Sequence, residues 1–379
     1  MLSVVRQQLP GINIMYKLVM IVLLAFLMLG ITGLGVFIVM YSLSTMRIGR
    51  DLAASHGISA INSSRLGGVA IVVTFLGLLI GMAMLGPYNL GILWDATFLN
   101  LWSTIILCVL LGAVEDFRAD LLSPHFRLVA KLLAFGIFLW VTPAMVPQSI
   151  GVPLMDFIFA EPAFAWALCT LFCVGFINAC NMADGANGLF PGIATIVIGV
   201  LFLEYGRPAE GALLVVCLMF LIFNVISGRF FLGDTGSYGL GAVIACYGLL
   251  GVAQGDFSAG FMASLLSYPC VELLVSMTRR ARKGQSPLRP DNGHLHNRLH
   301  KFYEPKFKSR VISNSLTGLT ISFFSSGVCL VIYLSGLLSI RSNAWFCVLA
   351  LQAVLYLIVY YRLKRAEPEV STDAAFGLT

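Results

Sequence analysis

Four polar segments, each next to a long apolar stretch, carry the residue types that could bind a metal ion and phosphate groups. The first ends in the adjacent carboxylates Glu115 and Asp116. Adjacent carboxylates repel each other, and near a low-dielectric boundary at least one needs a cation, a proton or a metal. The alternative is an ordinary hydrated loop in which the acids pair with Arg118 and Arg127. This segment alone leaves both interpretations open.

The second segment runs from Asn178 to Leu189 and contains three asparagines, Asp184 and two glycines. The glycines allow a tight bend and the close approach of a ligand, and the asparagine amides offer donors and acceptors. No basic residue lies near Asp184 in the sequence, so a metal or a cation carried by a ligand is its natural partner. The alternative is a helix cap in which Asp184 accepts backbone amides.

The third segment places Asp234 between glycines and hydroxyl side chains, a set that suits magnesium because this ion prefers carboxylate and water ligands. Asp234 could also cap the helix that follows, and both roles can hold at once. The fourth segment is a long basic loop over residues 279–311, which carries His294 and His296. Clustered Arg and Lys suit a phosphorylated substrate, although residues 279–283 alone would serve as a cytoplasmic anchor.

The elements that must position these segments are membrane helices. The chain is 59% hydrophobic and 11% charged, whereas soluble domains carry roughly a quarter charged residues. A transmembrane helix needs about 20 apolar residues. We predict an all-α, polytopic integral membrane protein, a single transmembrane domain over residues 1–379 with about eleven helices. The predicted spans are 18–42, 67–86, 98–114, 128–147, 163–180, 190–204, 210–227, 237–254, 258–278, 312–338 and 343–361.

The distribution of basic residues predicts the orientation. With the N-terminus outside, 20 of the 24 Lys and Arg residues fall on the same side, which the positive-inside rule assigns to the cytoplasm. The C-terminus and all four polar segments are then cytoplasmic. The net charge of +6 is explained by this topology and by contact with membrane lipids. A nucleic-acid partner is not expected, because no folded domain presents the basic residues.

Carboxylates for a divalent cation, together with cationic groups at the lipid boundary, predict chemistry on phosphate groups, with a lipid as one substrate. Phosphoryl transfer needs mainly positioning and charge neutralisation. A secondary transporter or lipid flippase is the alternative, because it also has many helices and rare intramembrane charges. Transporter sites usually lie near the bilayer midplane and come with internal repeats, whereas these acids lie at helix ends on one side.

The four segments resemble the ordered motifs of the polyprenyl-phosphate N-acetylhexosamine-1-phosphate transferases. That family includes phospho-MurNAc-pentapeptide transferase and enzymes that start O-antigen, enterobacterial common antigen and teichoic acid synthesis. The residues that carry the resemblance are Gly112, Glu115, Asp116, Asn178, Asn181, Asp184, Asn187, Gly188, Leu189, Gly233, Asp234, Gly236, Ser237, His294 and His296.

The resemblance implies a reaction and a set of site residues. A magnesium-dependent transferase, with manganese as a substitute, would move a sugar 1-phosphate from a UDP-N-acetylhexosamine to polyprenyl (undecaprenyl) phosphate and release UMP. The resemblance also implies a bacterial inner membrane, with the N-terminus in the periplasm. The sequence leaves the oligomeric state open, because apolar faces serve lipid and partner helices alike, and a homodimer is one of the states it allows. The residues matched as catalytic are Glu115, Asp116 and Asp184. The matched metal ligands are Asp234 and Asp116. The residues matched to substrate binding are Asn178, Asn181, Asn187, Lys131, His294, His296 and Arg298.

The sequence departs from the common family pattern at three positions. Glu115 replaces the more usual Asp, Asn187 replaces a frequent second Asp of the loop, and Asn297 stands where many members have another His. The first two departures occur together in the branch that initiates bacterial surface polysaccharides such as lipopolysaccharide. The expectation is therefore the first membrane step of cell-envelope glycan synthesis.

Overall fold

The computed structural model describes residue 26 and residues 30–46, 48–51, 63–85, 96–118, 121–286 and 291–366. Within these ranges the protein is almost entirely helical, and the strands amount to one short pairing of Arg50–Asp51 with Ser63–Ser64. This confirms the predicted all-α, polytopic membrane architecture. The boundaries of the single predicted domain stay a prediction.

The helices follow the apolar runs of the sequence. They are α1 (Gly30–Thr45), α2 (Gly67–Leu85), α3 (Ala96–Phe117), α4 (Pro124–Val141), α5 (Pro153–Phe159), α6 (Pro162–Ala183), α7 (Phe190–Tyr205), α8 (Pro208–Ser227), α9 (Gly233–Gln254), α10 (Ala259–Leu265), α11 (Ser267–Arg282), α12 (Leu295–Tyr303), α13 (Arg310–Ser322), α14 (Val328–Leu334) and α15 (Trp345–Ala366). Short 3-10 turns lie at Pro143–Met145 and Glu304–Lys306, and a π-helical segment, Phe323–Gly327, joins α13 to α14.

Among the described residues, eight helical spans are long and apolar enough to cross a membrane, or nine if the bent pair α10–α11 counts as one. The helices α1 and α7 are shorter apolar helices that overlap two other predicted spans, 18–42 and 190–204. The first part of the predicted span 18–42 lies outside the described residues, apart from residue 26. The number of eleven spans and the side of each terminus therefore stay predictions.

The predicted continuous span 258–278 is wrong in one respect, because the helix breaks at Leu266 with a bend of 77°. Backbone groups freed at membrane depth need polar partners, and the π-helical segment provides them. Ser326 Oγ donates to the carbonyl of Leu265 at 2.6 Å, and the amide of Tyr268 donates to Ser325 Oγ at 3.1 Å. The break gives α11 a direction of its own towards the basic loop.

The helix α9 lies at the centre of the fold, and 83% of the residues in its most apolar stretch are buried. It packs against α3 and α6, and small residues allow the close approach. A Cβ atom on Gly112 would lie only 2.3 Å from the carbonyl oxygen of Asp234. The last turn of α3 is thereby held beside the first turn of α9.

The start of α2 also reaches this region. The amide of Ser64 donates to the Arg229 carbonyl at 2.9 Å, and the amide of Gly67 donates to the Phe231 carbonyl at 3.0 Å. Gly228, at φ +63°, ends α8 in the left-handed conformation that favours glycine. The chain then turns into the segment that leads to Asp234.

Candidate active site

Asp116 caps the helix that carries Asp234. Its Oδ1 accepts the amide of Asp234 at 2.9 Å, and its Oδ2 accepts the amide of Thr235 at 2.8 Å and the Thr235 hydroxyl at 2.6 Å. The first amides of a helix have no partner within it and attract negative charge. Here the acceptor comes from the end of α3, more than a hundred residues away. The predicted capping role of Asp234 itself is thus taken by Asp116.

Asp184 bonds to the same turn of the chain. Its Oδ2 accepts the amide of Gly233, the first residue of α9, at 3.1 Å, while its own backbone amide caps the end of α6 by donating to the carbonyls of Cys180 and Asn181. Burial raises the pKa of Asp184 well above its ordinary value, and the neighbouring carboxylates of Asp116 and Asp234 raise it further. The Gly233 amide and the charge of Arg65 oppose this shift. Three carboxylates from three helix ends therefore meet around residues 233–235.

The Asp234 side chain accepts hydrogen bonds from Asn181 and Arg127, and 19% of it is exposed. Its Oδ1 accepts from Asn181 Nδ2 at 3.0 Å, and its Oδ2 accepts from Arg127 Nη1 at 3.2 Å. Arg127 Nη1 also lies 3.4 Å from Glu115 Oε1. Arg127 therefore links two of the predicted motifs, although it was not predicted as a site residue. Its position four residues before Lys131, on one face of α4, is the signal that could have identified it.

Lys131 lies in the same region and is only 1% exposed. Its Nζ donates to Asn178 Oδ1 at 2.5 Å and lies 4.1 Å from the centroid of the Tyr238 ring. A buried ammonium group is costly and marks a functional position in a membrane protein more often than a structural one. The structure thus brings together two predicted substrate-binding residues, Lys131 and Asn178.

The histidine motif contacts the asparagine-rich loop. The His294 and His296 rings stack with centroids 5.2 Å apart, and a Cβ atom on Gly185 would lie 2.3 Å from His296 Nε2. Burial and the neighbouring His294 lower the pKa of His296 to about 3, so its ring is neutral at physiological pH. The Arg298 guanidinium lies over the Tyr360 ring, 5.0 Å from its centroid, and so faces α15.

Asn187 contacts the helix α13. Its backbone amide donates to Asn314 Oδ1 at 2.8 Å, and its Nδ2 donates to Ser315 Oγ at 3.4 Å. The side chain is buried against α13. The substrate-binding role predicted for Asn187 stays a prediction, as do the roles of the other site residues.

Asn224 joins two motif loops and was not predicted. Its Oδ1 accepts the amide of Gly188 at 2.6 Å, and its Nδ2 donates to the carbonyl of Phe230 at 2.7 Å. The side chain is 1% exposed. A lone asparagine near the end of the apolar helix α8 is the sequence signal for this position, because a buried amide must have partners.

Residues 98–252 match the profile of a known family, described as glycosyl transferase family 4. This range contains the first three polar segments. A probable undecaprenyl-phosphate N-acetylglucosaminyl 1-phosphate transferase from Bacillus subtilis is 29% identical, over 63% of this chain and 66% of its own length. The predicted family resemblance is confirmed.

Two further similar proteins support the resemblance to these sugar-1-phosphate transferases. An undecaprenyl-phosphate alpha-N-acetylglucosaminyl 1-phosphate transferase from Yersinia pestis is 29% identical, over 54% of this chain and 58% of its own. A phospho-N-acetylmuramoyl-pentapeptide-transferase from Synechococcus is 34% identical, over 34% of this chain and 39% of its own. The chain thus matches between about two fifths and just under two thirds of the length of these relatives.

Proposed function

We propose that this protein transfers an N-acetylhexosamine 1-phosphate from a UDP-sugar to polyprenyl phosphate, giving a polyprenyl-diphospho-sugar and UMP. The observation that supports this best is the convergence of Asp116, Asp184 and Asp234 from three helix ends, beside Arg127 and Lys131. Anionic groups that hold a divalent cation, next to basic side chains, suit a diphosphate substrate. The names of the similar proteins support the sugar and lipid classes.

In the proposed reaction, an oxygen of the lipid phosphate attacks the phosphorus linked to the sugar. A new phosphorus–oxygen bond forms, and the bond from that phosphorus to the oxygen shared with UMP breaks, so that UMP leaves with the electron pair. A phosphate monoester is largely ionised near neutral pH, so a strong general base is not needed and we favour direct displacement. Arg127 and Lys131 would neutralise phosphate charge, while Asn178 and Asn181 orient the charged side chains.

Magnesium, with manganese as a substitute, is the cofactor that we propose. Within the part of the chain that the structure describes, no three His, Cys, Asp or Glu side chains form a ready-made metal cage. Magnesium often takes one or two carboxylates and completes its shell with water and substrate phosphates, and an all-oxygen pair of aspartates fits that chemistry. A bound magnesium would supply charge neutralisation of the diphosphate.

We propose Asp234 and Asp184 as the metal ligands, because Asp184 accepts one backbone amide, through Oδ2, whereas both oxygens of Asp116 are used. Asp234 is partly exposed, and its partners Arg127 and Asn181 are side chains that can move. Both oxygens of Asp116, which was predicted as the second ligand, already accept donors from α9. Asp116 then holds the metal ligand Asp234 in place.

We place this site at the cytoplasmic face of a bacterial inner membrane. The proposal is supported by the 20 of 24 basic residues that the predicted topology assigns to that side. A UDP-sugar donor, which is made in the cytoplasm, would then reach the site directly. A role in O-antigen or lipopolysaccharide synthesis and a homodimeric state are further parts of the proposal.

The test uses the purified full chain with radiolabelled UDP-N-acetylhexosamines, undecaprenyl phosphate and magnesium. The expected result is label in the lipid phase with an equal release of UMP. Asp234→Asn should abolish this transfer, whereas Glu210→Gln, which changes a buried carboxylate bonded to Arg207, should leave it unchanged. No transfer with any donor, or full transfer by Asp234→Asn at saturating magnesium, would overturn the proposal.

A further inference from the structure

The helix α11 presents a buried carboxylate, Glu272, to the histidine motif. Glu272 is 1% exposed, and its two oxygens accept four donors. Oε1 accepts from His294 Nδ1 and from Ser276 Oγ, each at 3.0 Å. Oε2 accepts from the Leu295 amide at 3.0 Å and from the Tyr356 hydroxyl at 2.7 Å. A carboxylate has about four acceptor positions, so all of them are used.

Tyr268 lies one turn before Glu272 on the same face of α11. Its hydroxyl lies 2.9 Å from His296 Nδ1. Two side chains four residues apart thus each contact one histidine of the motif: Glu272 contacts His294, and Tyr268 contacts His296. The helix bend at Leu266 starts α11 immediately before Tyr268.

These contacts are the basis for assigning the ring nitrogen that carries the proton in each histidine. A histidine that bonds a carboxylate through Nδ1 donates from that atom. We therefore assign the proton of His294 to Nδ1, which donates to Glu272 Oε1. We assign the Tyr268 hydroxyl as the donor to Nδ1 of the neutral His296, and this assignment leaves the N–H on Nε2. That Nε2 faces Gly185, the residue after Asp184.

A second set of contacts closes the loop that follows α11. Arg279 donates to Asp291 Oδ1 at 2.6 Å and to the Tyr360 hydroxyl at 3.1 Å. His294 Nε2 lies 3.5 Å from the same Asp291 Oδ1. His294 is therefore placed between Glu272 and Asp291, and its ring has little freedom to turn.

We propose that Tyr268 and Glu272 are positioning residues that fix the tautomer and orientation of His296 and His294, so that the His296 Nε2–H is directed at the Asp184–Gly185 turn where the donor sugar phosphate binds. This inference rests on the proposed function for the identity of the donor. Two of the four donors to Glu272, His294 Nδ1 and the Leu295 amide, belong to the histidine motif, which favours a role in placing the histidines.

The experiment compares Tyr268→Phe and Glu272→Gln with two matched controls, Tyr205→Phe and Glu210→Gln. Tyr205→Phe removes a hydrogen bond from a tyrosine hydroxyl to Asp256. Glu210→Gln removes a buried carboxylate charge that pairs with Arg207. We expect kcat/KM for the UDP-sugar to fall roughly tenfold to hundredfold in the first pair. This fall should come from a higher KM for the UDP-sugar, with the KM for undecaprenyl phosphate unchanged. A merely structural role would lower the amount of folded enzyme without changing the KM of the remainder.

Double variants test whether each residue acts through its histidine. Tyr268→Phe with His296→Gln should cost no more than His296→Gln alone, and Glu272→Gln should behave in the same way with His294→Gln. Additive losses would overturn the inference. So would variants at Tyr268 and Glu272 that match the two controls.

Chemical labelling gives a readout that does not depend on activity. Diethylpyrocarbonate labelling followed by mass spectrometry should detect faster modification of His296 in Tyr268→Phe and of His294 in Glu272→Gln. Labelling of the buried His300 reports unfolding and should stay at the wild-type level. If the wild type makes no product, the proposed function fails while labelling still tests the positioning. Unchanged labelling of both histidines would overturn the inference.

Discussion

The carboxylate of Asp116 accepts the backbone amides of Asp234 and Thr235, at 2.9 and 2.8 Å. This contact joins the end of α3 to the start of α9 and fixes the direction in which the Asp234 side chain leaves the helix. Asp184 accepts the preceding amide, that of Gly233. The geometry of the site therefore depends on backbone groups of a single turn.

Asp116→Asn should lower both stability and activity. Asparagine replaces one carboxylate oxygen by an NH2 group, which would face the N–H or O–H donors at the start of α9. At least one of these buried donors would lose its acceptor, at a cost of about 1–3 kcal/mol. Thermal unfolding in detergent and the transfer assay would measure the two effects. Asp156→Asn is the control, because Asp156 accepts the Ile150 amide far along the chain from the site. Wild-type values for Asp116→Asn would show that the capping contact is unimportant.

Gly112→Ala should abolish transfer. The new methyl group would lie 2.3 Å from the Asp234 carbonyl oxygen, which is backbone and cannot turn aside, so α3 and α9 must separate. Gly81→Ala is the control, because nothing lies within 4 Å of a Cβ atom at that position in α2. Equal activity of both variants would contradict the close packing of α3 on α9.

Asp184→Asn should stabilise the metal-free protein at neutral pH while reducing transfer by roughly a hundredfold or more. The raised pKa of Asp184 means that the folded protein binds more protons than the unfolded chain. Stability is therefore lost as pH rises above the unfolded value of about 3.9, up to the folded pKa. Melting curves between pH 4.5 and 8 in EDTA should show a smaller decline for Asp184→Asn. A variant that is less stable than the wild type at pH 8 would refute this account.

Arg127→Gln should strengthen apparent magnesium binding and lower kcat. The guanidinium competes with a cation for Asp234 Oδ2, and a partly exposed pair of this kind is worth up to about 1 kcal/mol, or about fivefold in affinity. Magnesium titration of the activity, and manganese binding followed by electron paramagnetic resonance, would measure the shift. The exposed Arg118 gives the control, Arg118→Gln. Weaker manganese binding in Arg127→Gln would argue against Asp234 as the ligand.

Acidification should destabilise the wild type through His296. Its pKa is about 3 in the folded protein, where burial and His294 disfavour the charged form, and about 6.5 when unfolded. Stability that is present above pH 6.5 is lost as pH falls towards 3, by at most about 1.4 kcal/mol per pH unit from this group. His296→Gln should flatten the melting temperature between pH 6.5 and 4.5. An unchanged slope would mean that other groups cause the acid loss.

The sequence by itself determined the class of protein and the residues to examine. In lipid, a helix is the main way for a segment to make all of its backbone hydrogen bonds. The length and composition of an apolar run therefore predict a helix from local sequence, and the polar residues at its ends are visible at once. The motif residues could be read because a carboxylate or a glycine pair stands out against an apolar background. The continuous span at 258–278 could not be corrected in this way, since the serines that stabilise its break lie about sixty residues later.

Only the tertiary structure decided which motif residues contact one another and which backbone or side-chain group each one holds. Asp116 caps α9, Arg127 joins Glu115 to Asp234, Asn224 ties two loops, and Tyr268 with Glu272 holds the histidines. Each of these contacts joins residues that are between 6 and 119 positions apart. Most of them depend on helix ends meeting at hydrogen-bond distance, and close approach at glycines such as Gly112 sets that distance. The spacing of residues along the chain does not predict the distance between these helix ends.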